Sequence, residues 1–448
     1  MKKLAVFLAL LFCVSCIPFA LPATAKADGS VYIKSETAVL IDAETGAVLY
    51  DKNMNRQMYP ASITKVMTGM LALEMASADR VLTTSHDAVY SLPYNTSHIA
   101  LDENEQLTLE QAMYALGIES ANDAANVIAE NLAGSTQAFA QLMTQKAHEL
   151  GAVNTNFVNP HGLPDPNHYT TAYDMALIAA EAIKNENFNR YFSTNRYDMS
   201  TTNIRSEIRQ FWNANYFING YEHCEGLVMS KTGWTEEARH TLVTAATRGD
   251  TTLVAVVMYS TAKGDKFDDT LALFDYGFNG YTTLQVTSDY LQSQMPAKLE
   301  CDDGQISAQQ DSFMTQTQLV TVPVGVAQKD IAVKVSAADV DASGSMATAT
   351  ATLYYSKDGA QVECGSQTVT LILQQPPEKK FDLASFALKV FLWLVIIFLV
   401  LVVLLLVFVA LKQVVIIENR RRIRKRRMEQ RALAKSQKTG TEKTVYRK

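Results

Sequence analysis

The sequence Tyr59-Pro60-Ala61-Ser62-Ile63-Thr64-Lys65 opens an apolar helical pattern that continues to Met75. A proline at a helix start is pre-organised for the first turn, so we expect Ser62 to lie there. At that place the positive end of the helix dipole and free backbone N–H groups favour a developing negative charge. Lys65 lies three residues on, on the same face, where its amine can reach the Ser62 hydroxyl. The sequence therefore predicts a serine nucleophile with its base one turn away.

Two further motifs are expected to converge on this pair. A lysine accepts a proton only when its amine is neutral, so the pKa of Lys65 must be lowered. Burial and a nearby second cation both lower it, and Lys231-Thr232-Gly233 supplies the candidate cation. Ser120-Ala121-Asn122 falls between two helical segments, where its Ser and Asn side chains can point into a cleft.

Charge is divided unevenly along the 448 residues, whose formal net charge is −6. Residues 28–388 carry 22 basic and 43 acidic side chains, whereas residues 389–448 carry 15 basic and 3 acidic ones. The strongly acidic middle part disfavours nucleic acid as a partner.

The N-terminus has the pattern of a secretory signal peptide. Lys2 and Lys3 precede an apolar run, and Ala25-Lys26-Ala27 supplies small residues at the spacing that a signal peptidase reads. We therefore predict that residues 1–27 are removed. A retained anchor is the alternative, and a lipoprotein site at Cys16 is less favoured because no leucine stands in the three residues before it.

The C-terminal part predicts a membrane anchor. Val390–Leu411 has 22 residues without a charge, which at 1.5 Å per residue suffices to cross a hydrocarbon layer of roughly 30 Å. Lys412 and the basic run Arg420–Arg427 follow, and membranes keep such charge on the cytoplasmic side. We expect residues 28–388 outside the cytoplasmic membrane and the basic tail, 412–448, inside. A nucleic-acid role for the tail is the alternative.

The exported part is expected to hold two domains. The first, 28–282, mixes α and β patterns, with strands at Thr37–Ile41 and Leu253–Tyr259 and helical patterns at Ile63–Met75 and Leu109–Leu132.

The second domain, 283–373, is expected to be a small β-sandwich. Its strands are predicted at Leu319–Val324, Ile331–Val335, Ala347–Tyr355 and Thr368–Leu373. Asp358-Gly359 is a hairpin signal between two of them, and a linker, 374–389, leads to the membrane helix.

Cysteines and histidines give no sign of a metal or cofactor site. Cys224, Cys301 and Cys364 remain after signal removal, an odd number, and spacing does not decide whether Cys301 pairs with Cys364. His161 and His168 flank a turn-rich loop, which favours a structural role over metal binding. No cofactor is expected.

Each short motif has a second copy in the chain, and about two Ser-x-x-Lys pairs arise by chance in this length. Ser260–Lys263 follows a strand-like run, Ser193–Asn195 lies in a polar stretch with no packing face, and Lys438–Gly440 lies in the predicted tail. The ordered set with its flanks therefore carries the prediction.

This ordered set resembles the three motifs of penicillin-recognising serine enzymes. The flanks at Ala38–Asp42, Asn159–Leu163 and His168–Ala176 are similar to those of the low-molecular-weight penicillin-binding proteins, the serine-type D-alanyl-D-alanine carboxypeptidases of peptidase family S11. The resemblance covers residues 31–282. It implies the mixed α/β fold of the transpeptidases and β-lactamases, a peptidoglycan stem peptide ending in D-Ala–D-Ala as substrate, and β-lactam antibiotics as covalent inhibitors.

The resemblance also implies a role for each motif residue. Ser62 would attack the D-Ala–D-Ala carbonyl and Lys65 would accept its proton, while Ser120 would relay a proton to the leaving D-alanine. Asn122 would hold the substrate amide and orient Lys65. The segment Lys231-Thr232-Gly233-Trp234 would bind the substrate. Within it, Lys231 would attract the terminal carboxylate and keep Lys65 neutral. The backbone N–H groups of Ser62 and Trp234 would form the oxyanion hole.

The sequence departs from the family at two places. Ala121 stands where a glycine is common, which leaves the roles intact, and Arg239 stands where a glycine is usual, which bears on the rim of the substrate site. Asp123 is expected to be a helix-start acid and Trp212 a core residue. A D,D-endopeptidase, a β-lactamase, and a catalytically silent wall-binding scaffold stay open as alternatives, and the sequence does not predict the oligomeric state.

Overall fold

The computed structural model describes residues 31–301, 304–307, 312–341, 345–373, 378–379 and 383–441. Two compact units divide the chain between Pro377 and Glu378. The predicted signal peptide, 1–27, and much of the predicted linker lie outside the described residues.

The first unit alternates strands and helices and then becomes rich in strands. Its strands are β1 Thr37–Asp42, β2 Val48–Lys52, β3 Val81–Thr83, β4 Gln106–Thr108, β5 Arg196–Met199, β6 Arg209–Trp212, β7 Leu227–Thr235, β8 Arg239–Arg248, β9 Thr251–Ser260, β10 Tyr281–Val286, β11 Lys298–Cys301, β12 Gly304–Ser307, β13 Phe313–Met314, β14 Gln318–Pro323, β15 Ala332–Val335, β16 Asp339–Val340, β17 Met346–Lys357 and β18 Ala360–Ile372. Its α-helices are α1 Lys65–Met75, α2 His86–Tyr90, α3 Leu109–Tyr114, α4 Asn122–Ala133, α5 Thr136–Glu149, α6 Ala172–Ala182, α7 Glu186–Ser193, α8 Asp265–Gly280 and α9 Ser288–Ser293.

A central antiparallel sheet in the order β2-β1-β9-β8-β7 forms the frame of the part that holds the three motifs. Both faces of the inner strands are covered, which explains why β1 and β9 are nearly continuous apolar runs. Val39 and Ile41 belong to the core that contains α1 and α4, whereas Ala38 and Leu40 pack with α8. The alternation of side chains along a strand thus divides the core into two layers.

The helical layer places the motif residues through identifiable local signals. Thr108, Ser135 and Thr171 accept backbone N–H groups in the first turns of α3, α5 and α6, as capping residues do. The predicted helical stretch Leu109–Leu132 is interrupted by a wider π-turn at Ala115–Glu119.

The strand-rich remainder has its own apolar core. β17 and β18 form a long hairpin, and its turn residues Asp358 and Gly359 have φ angles of 50° and 79°, which confirms the predicted hairpin. β13, β15 and β16 extend this sheet, while β10 pairs with β14. The sandwich arrangement itself stays a prediction. Cys224, Cys301 and Cys364 are free thiols.

Buried Asp42, at the end of β1, connects the strand-rich part to the central sheet. Its carboxylate accepts the hydroxyls of Thr283 and Thr321, each at 2.9 Å. It also accepts the N–H groups of Glu44 and Thr45 in the turn after β1.

Within its described residues, the second unit contains a short strand at Glu378–Lys379 and the helix Leu383–Thr441. Ala387–Ala432 within this helix is long and apolar enough to cross a membrane, with a mean hydropathy of 3.8 in its most apolar window. The predicted span and the basic run belong to this single helix.

Candidate active site

Ser62 lies in a 3-10 turn, Ala61–Thr64, that leads directly into α1. Pro60 precedes the turn, and Ala61 has a φ of 53°, in the left-handed region that is costly for a residue with a Cβ atom. The turn brings Oγ of Ser62 within 3.0 Å of Nζ of Lys65, as the spacing of the two residues predicts.

The Lys65 amine is fully buried and has three oxygen neighbours. Nζ lies 2.7 Å from Oδ1 of Asn122, 2.7 Å from the carbonyl oxygen of His161 and 3.0 Å from Oγ of Ser62. The amide and carbonyl oxygens can only accept hydrogen bonds. A neutral amine has two N–H bonds and one lone pair, so its two protons go to these oxygens and its lone pair is left for the Ser62 hydroxyl.

Burial and a neighbouring charge favour the neutral form of this amine. Burial lowers the pKa of Lys65 well below its ordinary value, the charge of Lys231 lowers it further, and Asp123 opposes the shift. In its neutral form, Lys65 can accept the proton of the Ser62 hydroxyl.

Ser120 and Lys231 are joined by a hydrogen bond. Ser120 has a φ of 57° in the break between the π-turn and α4, which separates its side chain from both helices. Nζ of Lys231 donates to Oγ of Ser120 at 2.9 Å and to the carbonyl oxygen of Thr232 at 3.0 Å. Burial and the charge of Lys266 lower the pKa of Lys231 to about 7.

Gly233 explains why β7 can approach the nucleophile so closely. A Cβ atom at this position would lie 2.3 Å from Oγ1 of Thr241 and 2.9 Å from the backbone nitrogen of Ser62. β7 is the edge strand of the sheet, so one side of its backbone is not paired within the sheet. The strand therefore presents main-chain groups beside Ser62.

Ser62, Ser120 and the residues 231–234 line one cleft of about 400 Å³, within the usual size range of small-ligand pockets. Lys65 reaches this cleft through its contact with Ser62, and Asn122 contacts Lys65. Trp234 and Trp212 are both more than half exposed at this cleft. The prediction that Trp212 is a core residue is wrong. Side chains of β6 alternate between the two faces of the strand, and Phe211 takes the buried position. The Arg196 guanidinium lies over the Trp212 ring, 4.6 Å from its centroid.

Sequence reasoning missed three basic residues of the cleft: Lys263, Lys266 and His240. Lys266 is 3% exposed, and within the part of the chain that the structure describes it forms no hydrogen bond through its amine and no ion pair. Burial and the charge of Lys263 lower its pKa to about 8. One signal was available, because a lysine in the first turn of a helix such as α8 opposes the helix dipole.

The histidines and Asp123 have structural partners. Nε2 of His168 lies 2.9 Å from Oγ1 of Thr64, while His161 contributes its backbone oxygen to Lys65. Asp123, in the first turn of α4, accepts the N–H groups of Ile99 and Leu101. Among the described residues, no group of three or more His, Cys, Asp or Glu side chains could hold a metal ion.

The second copies of the motifs do not form a comparable site. The Ser260 hydroxyl is buried against Ser35 at 2.6 Å, and Nζ of Lys263 lies over the Tyr216 ring at 4.7 Å. The stretch around Ser193–Asn195 does have a packing face, contrary to the prediction, because Tyr191 and Phe192 are fully buried.

Comparison with known proteins agrees with these motifs. A family model described as "D-alanyl-D-alanine carboxypeptidase", peptidase S11, matches residues 23–262. The chain is 34% identical over 308 residues to D-alanyl-D-alanine carboxypeptidase DacF of Bacillus subtilis, covering 66% of this chain and 75% of the relative. It is 29% identical over 294 residues to DacC of Escherichia coli, covering 63% and 70% of the two chains.

Solved structures support the same fold. Penicillin-binding protein 5 from Haemophilus influenzae superimposes with a TM-score of 0.62 at 24% identity, covering 79% of this chain and all of the other. The Streptomyces K15 DD-transpeptidase gives a TM-score of 0.51 at 29% identity, covering 55% and 98%. The mixed α/β fold expected from the sequence is confirmed, and the chain belongs to the S11 family of serine-type D-alanyl-D-alanine carboxypeptidases.

Proposed function

We propose that this chain removes the terminal D-alanine from peptidoglycan stem pentapeptides through an acyl-enzyme on Ser62. The observation that carries the proposal is the buried Lys65 amine, whose two acceptor-only neighbours leave its lone pair for the Ser62 hydroxyl 3.0 Å away.

Each proton transfer in this reaction can be assigned to Ser62, Lys65, Ser120 or water. Oγ of Ser62 attacks the carbonyl carbon of the D-Ala–D-Ala bond while its proton passes to Lys65, and backbone N–H groups of Ser62 and Trp234 stabilise the oxyanion. Ser120 relays the proton to the departing amine nitrogen, and D-alanine leaves. Water then attacks the acyl-enzyme and returns a proton to Ser62, releasing the tetrapeptide. Asn122 holds the substrate amide.

The terminal carboxylate of the substrate belongs at the cationic end of the cleft. Lys231 uses two N–H bonds on Ser120 and Thr232, so its third N–H is available when it is protonated. Lys266 adds a second buried cation that lines the same cleft. A carboxylate between them would form charge-assisted hydrogen bonds and relieve the repulsion between the two lysines.

Replacing Lys266 by Met should therefore stabilise the protein while weakening substrate binding. The folded-state pKa of about 8 lies below the ordinary 10.5, so burying the charged amine costs stability. This cost is fully present below pH 8 and fades as the pH rises towards 10.5, where the unfolded chain also loses the proton. We expect a gain of about 1–3 kcal/mol at pH 7 and a tenfold rise in KM, of order 1 kcal/mol. Denaturant unfolding at pH 7 and pH 10 tests the first expectation, and a gain that persists unchanged at pH 10 would contradict it.

Among the described residues, Glu119 is the acid that lines the cleft, and its carboxylate accepts the Trp212 N–H. No other carboxylate there is placed to activate a deacylating water. We therefore expect the penicilloyl group to leave Ser62 slowly. Penicillin would then act as a covalent inhibitor of this enzyme and not as the substrate of a β-lactamase.

The direct experiment incubates the full chain, in detergent, with a synthetic stem pentapeptide and measures released D-alanine. Release of one D-alanine per peptide supports the carboxypeptidase. Cleavage of cross-linked dimers in preference to the pentapeptide would favour the endopeptidase. Peptide binding without release would favour the silent scaffold.

We also propose that residues 390–411 span the cytoplasmic membrane once, with the catalytic part outside and the basic tail inside, as the positive charges of Arg420–Arg427 favour. A periplasmic or extracytoplasmic reporter fused after residue 448 should be inactive, whereas a cytoplasmic reporter there should be active. An active extracytoplasmic reporter would overturn this topology.

The domain limits follow from the same proposal. The signal peptide would end at residue 27, the catalytic domain at 282 and the strand-rich domain at 373, and residues 374–389 would link it to the membrane helix. We assign the strand-rich domain the role of a spacer above the membrane.

A further inference from the structure

A second groove, of about 340 Å³, lies close to the nucleophile but outside the cleft described above. Tyr59, Tyr169 and Tyr259 line it, each half-buried, together with Met58, Pro166 and Glu237. Three aromatic rings around one carboxylate form a surface that suits an aliphatic chain ending in a cation.

Each wall of this groove is joined to the Ser62 turn. Met58 and Tyr59 directly precede Pro60 in the chain. Met58 pairs through its backbone with Thr170, and the loop before Thr170 packs on the turn so closely that a Cβ atom on Gly162 would lie 1.9 Å from the Ala61 carbonyl oxygen. The groove therefore belongs to the surroundings of the acylation site.

The third wall comes from the end of the β7–β8 hairpin and from β9. Glu237 lies three residues after Trp234, which lines the catalytic cleft. The pairing of β8 with β9 shifts register between His240 and Leu242, and Tyr259 in this bulge has a φ of 59°. A bulge re-aims side chains, and a non-glycine residue in this conformation is strained. The fold thus tolerates strain where it presents the Tyr259 ring to the groove.

The two cavities have opposite charge. Lys231, Lys263 and Lys266 line the catalytic cleft, whereas Glu237 is the charged residue among those described that line the groove. Glu237 is exposed and forms no hydrogen bond through its carboxylate and no ion pair among the described residues. A substrate with a carboxylate at one end and an amine further along its chain would match both.

We infer that this groove binds the side chain of the third stem residue and selects an aliphatic side chain that ends in an amine. The inference rests on the proposed function, because the residue acylated on Ser62 is the fourth of the stem. The third residue is then one Cα step, about 3.8 Å, further back along the peptide. The tyrosine rings contact its methylene groups, and Glu237 pairs with its ammonium group.

The test uses the full chain in detergent and four pentapeptide substrates that differ only at the third residue. That residue is lysine, Nε-acetyl-lysine, norleucine or alanine. An exposed ion pair with cation–π support is worth about 1 kcal/mol, so we expect kcat/KM to be about fivefold higher for lysine than for norleucine or acetyl-lysine. Glu237→Gln should reduce this advantage to less than twofold, through a lower kcat/KM for the lysine peptide. Glu236→Gln, the same change on the neighbouring residue, is the matched control and should keep the advantage.

A second variant tests the rings. Tyr169→Ala should lower kcat/KM for the lysine and norleucine peptides alike, by at least threefold relative to the alanine peptide. Two results would overturn the role of the groove while leaving the proposed function intact. One is equal D-alanine release from all four peptides by the unchanged protein, and the other is a lysine advantage that survives Glu237→Gln. No D-alanine release from any of the peptides would overturn the proposed function and this inference with it.

Discussion

Ser62→Ala should abolish covalent labelling by a fluorescent penicillin and lower the rate of D-alanine release by at least about ten-thousandfold. Removal of a serine nucleophile costs up to about a millionfold in kcat in serine hydrolases, since the acyl-enzyme route is lost entirely. Ser62 is only partly buried in a 3-10 turn, so loss of its hydroxyl should leave the fold intact. Mass spectrometry after incubation with penicillin measures the adduct directly.

The chain contains its own control for this experiment. Ser260 opens the second Ser-x-x-Lys pair, and its hydroxyl bonds to Ser35 outside the cleft. Ser260→Ala should therefore keep full labelling. Labelling that survives Ser62→Ala, or that disappears in Ser260→Ala with the fold intact, would show that the nucleophile is assigned wrongly.

Lys65→Met should slow acylation about a thousandfold with little change in the melting temperature. General-base catalysis by a positioned side chain contributes about a hundredfold to ten-thousandfold, and methionine has a similar shape without a lone pair to take the proton. Two effects on stability oppose each other. Methionine removes an amine whose neutralisation costs free energy below pH 10.5, but it leaves Oδ1 of Asn122 and the His161 carbonyl oxygen without their donor.

Stopped-flow acylation by a chromogenic β-lactam measures the effect of Lys65→Met. Lys184→Met, the same change at an exposed lysine that pairs with Glu181 and does not line the cleft, should alter the rate less than threefold. A Lys65→Met protein that acylates at the normal rate would remove Lys65 from the role of base.

The nucleophile and its base could be predicted because their relation is local. A Ser and a Lys three residues apart at a helix start share one face, and the structure has them 3.0 Å apart. The break at Ser120 was also visible, since the motif separates two helical patterns. The arrival of Lys231 at this site was predicted from chemistry rather than from a local pattern, because a neutral Lys65 needs a nearby second cation and 111 residues separate Lys231 from Ser120.

The residues that the sequence did not predict owe their places to tertiary packing. Lys266 lies in the cleft because α8 packs on the sheet beside β9, which no local pattern indicates. Trp212 was assigned to the core from its residue type, but the alternation of β6 directs it outwards. Arg239 has a φ of 53°, in the left-handed region that favours glycine, which explains why a glycine is usual there.

The role of Lys65 as the base requires a neutral amine in the folded protein, and its protonation state can be measured. Nitrogen-15 NMR of the full chain in detergent, with the Lys65 signal assigned by its loss in Lys65→Met, follows this amine through a pH titration. We expect the chemical shift of a neutral amine at pH 7. A Lys65 signal that reports a protonated amine at pH 7 and titrates near 10.5, as that of an ordinary lysine does, would exclude Lys65 as the base.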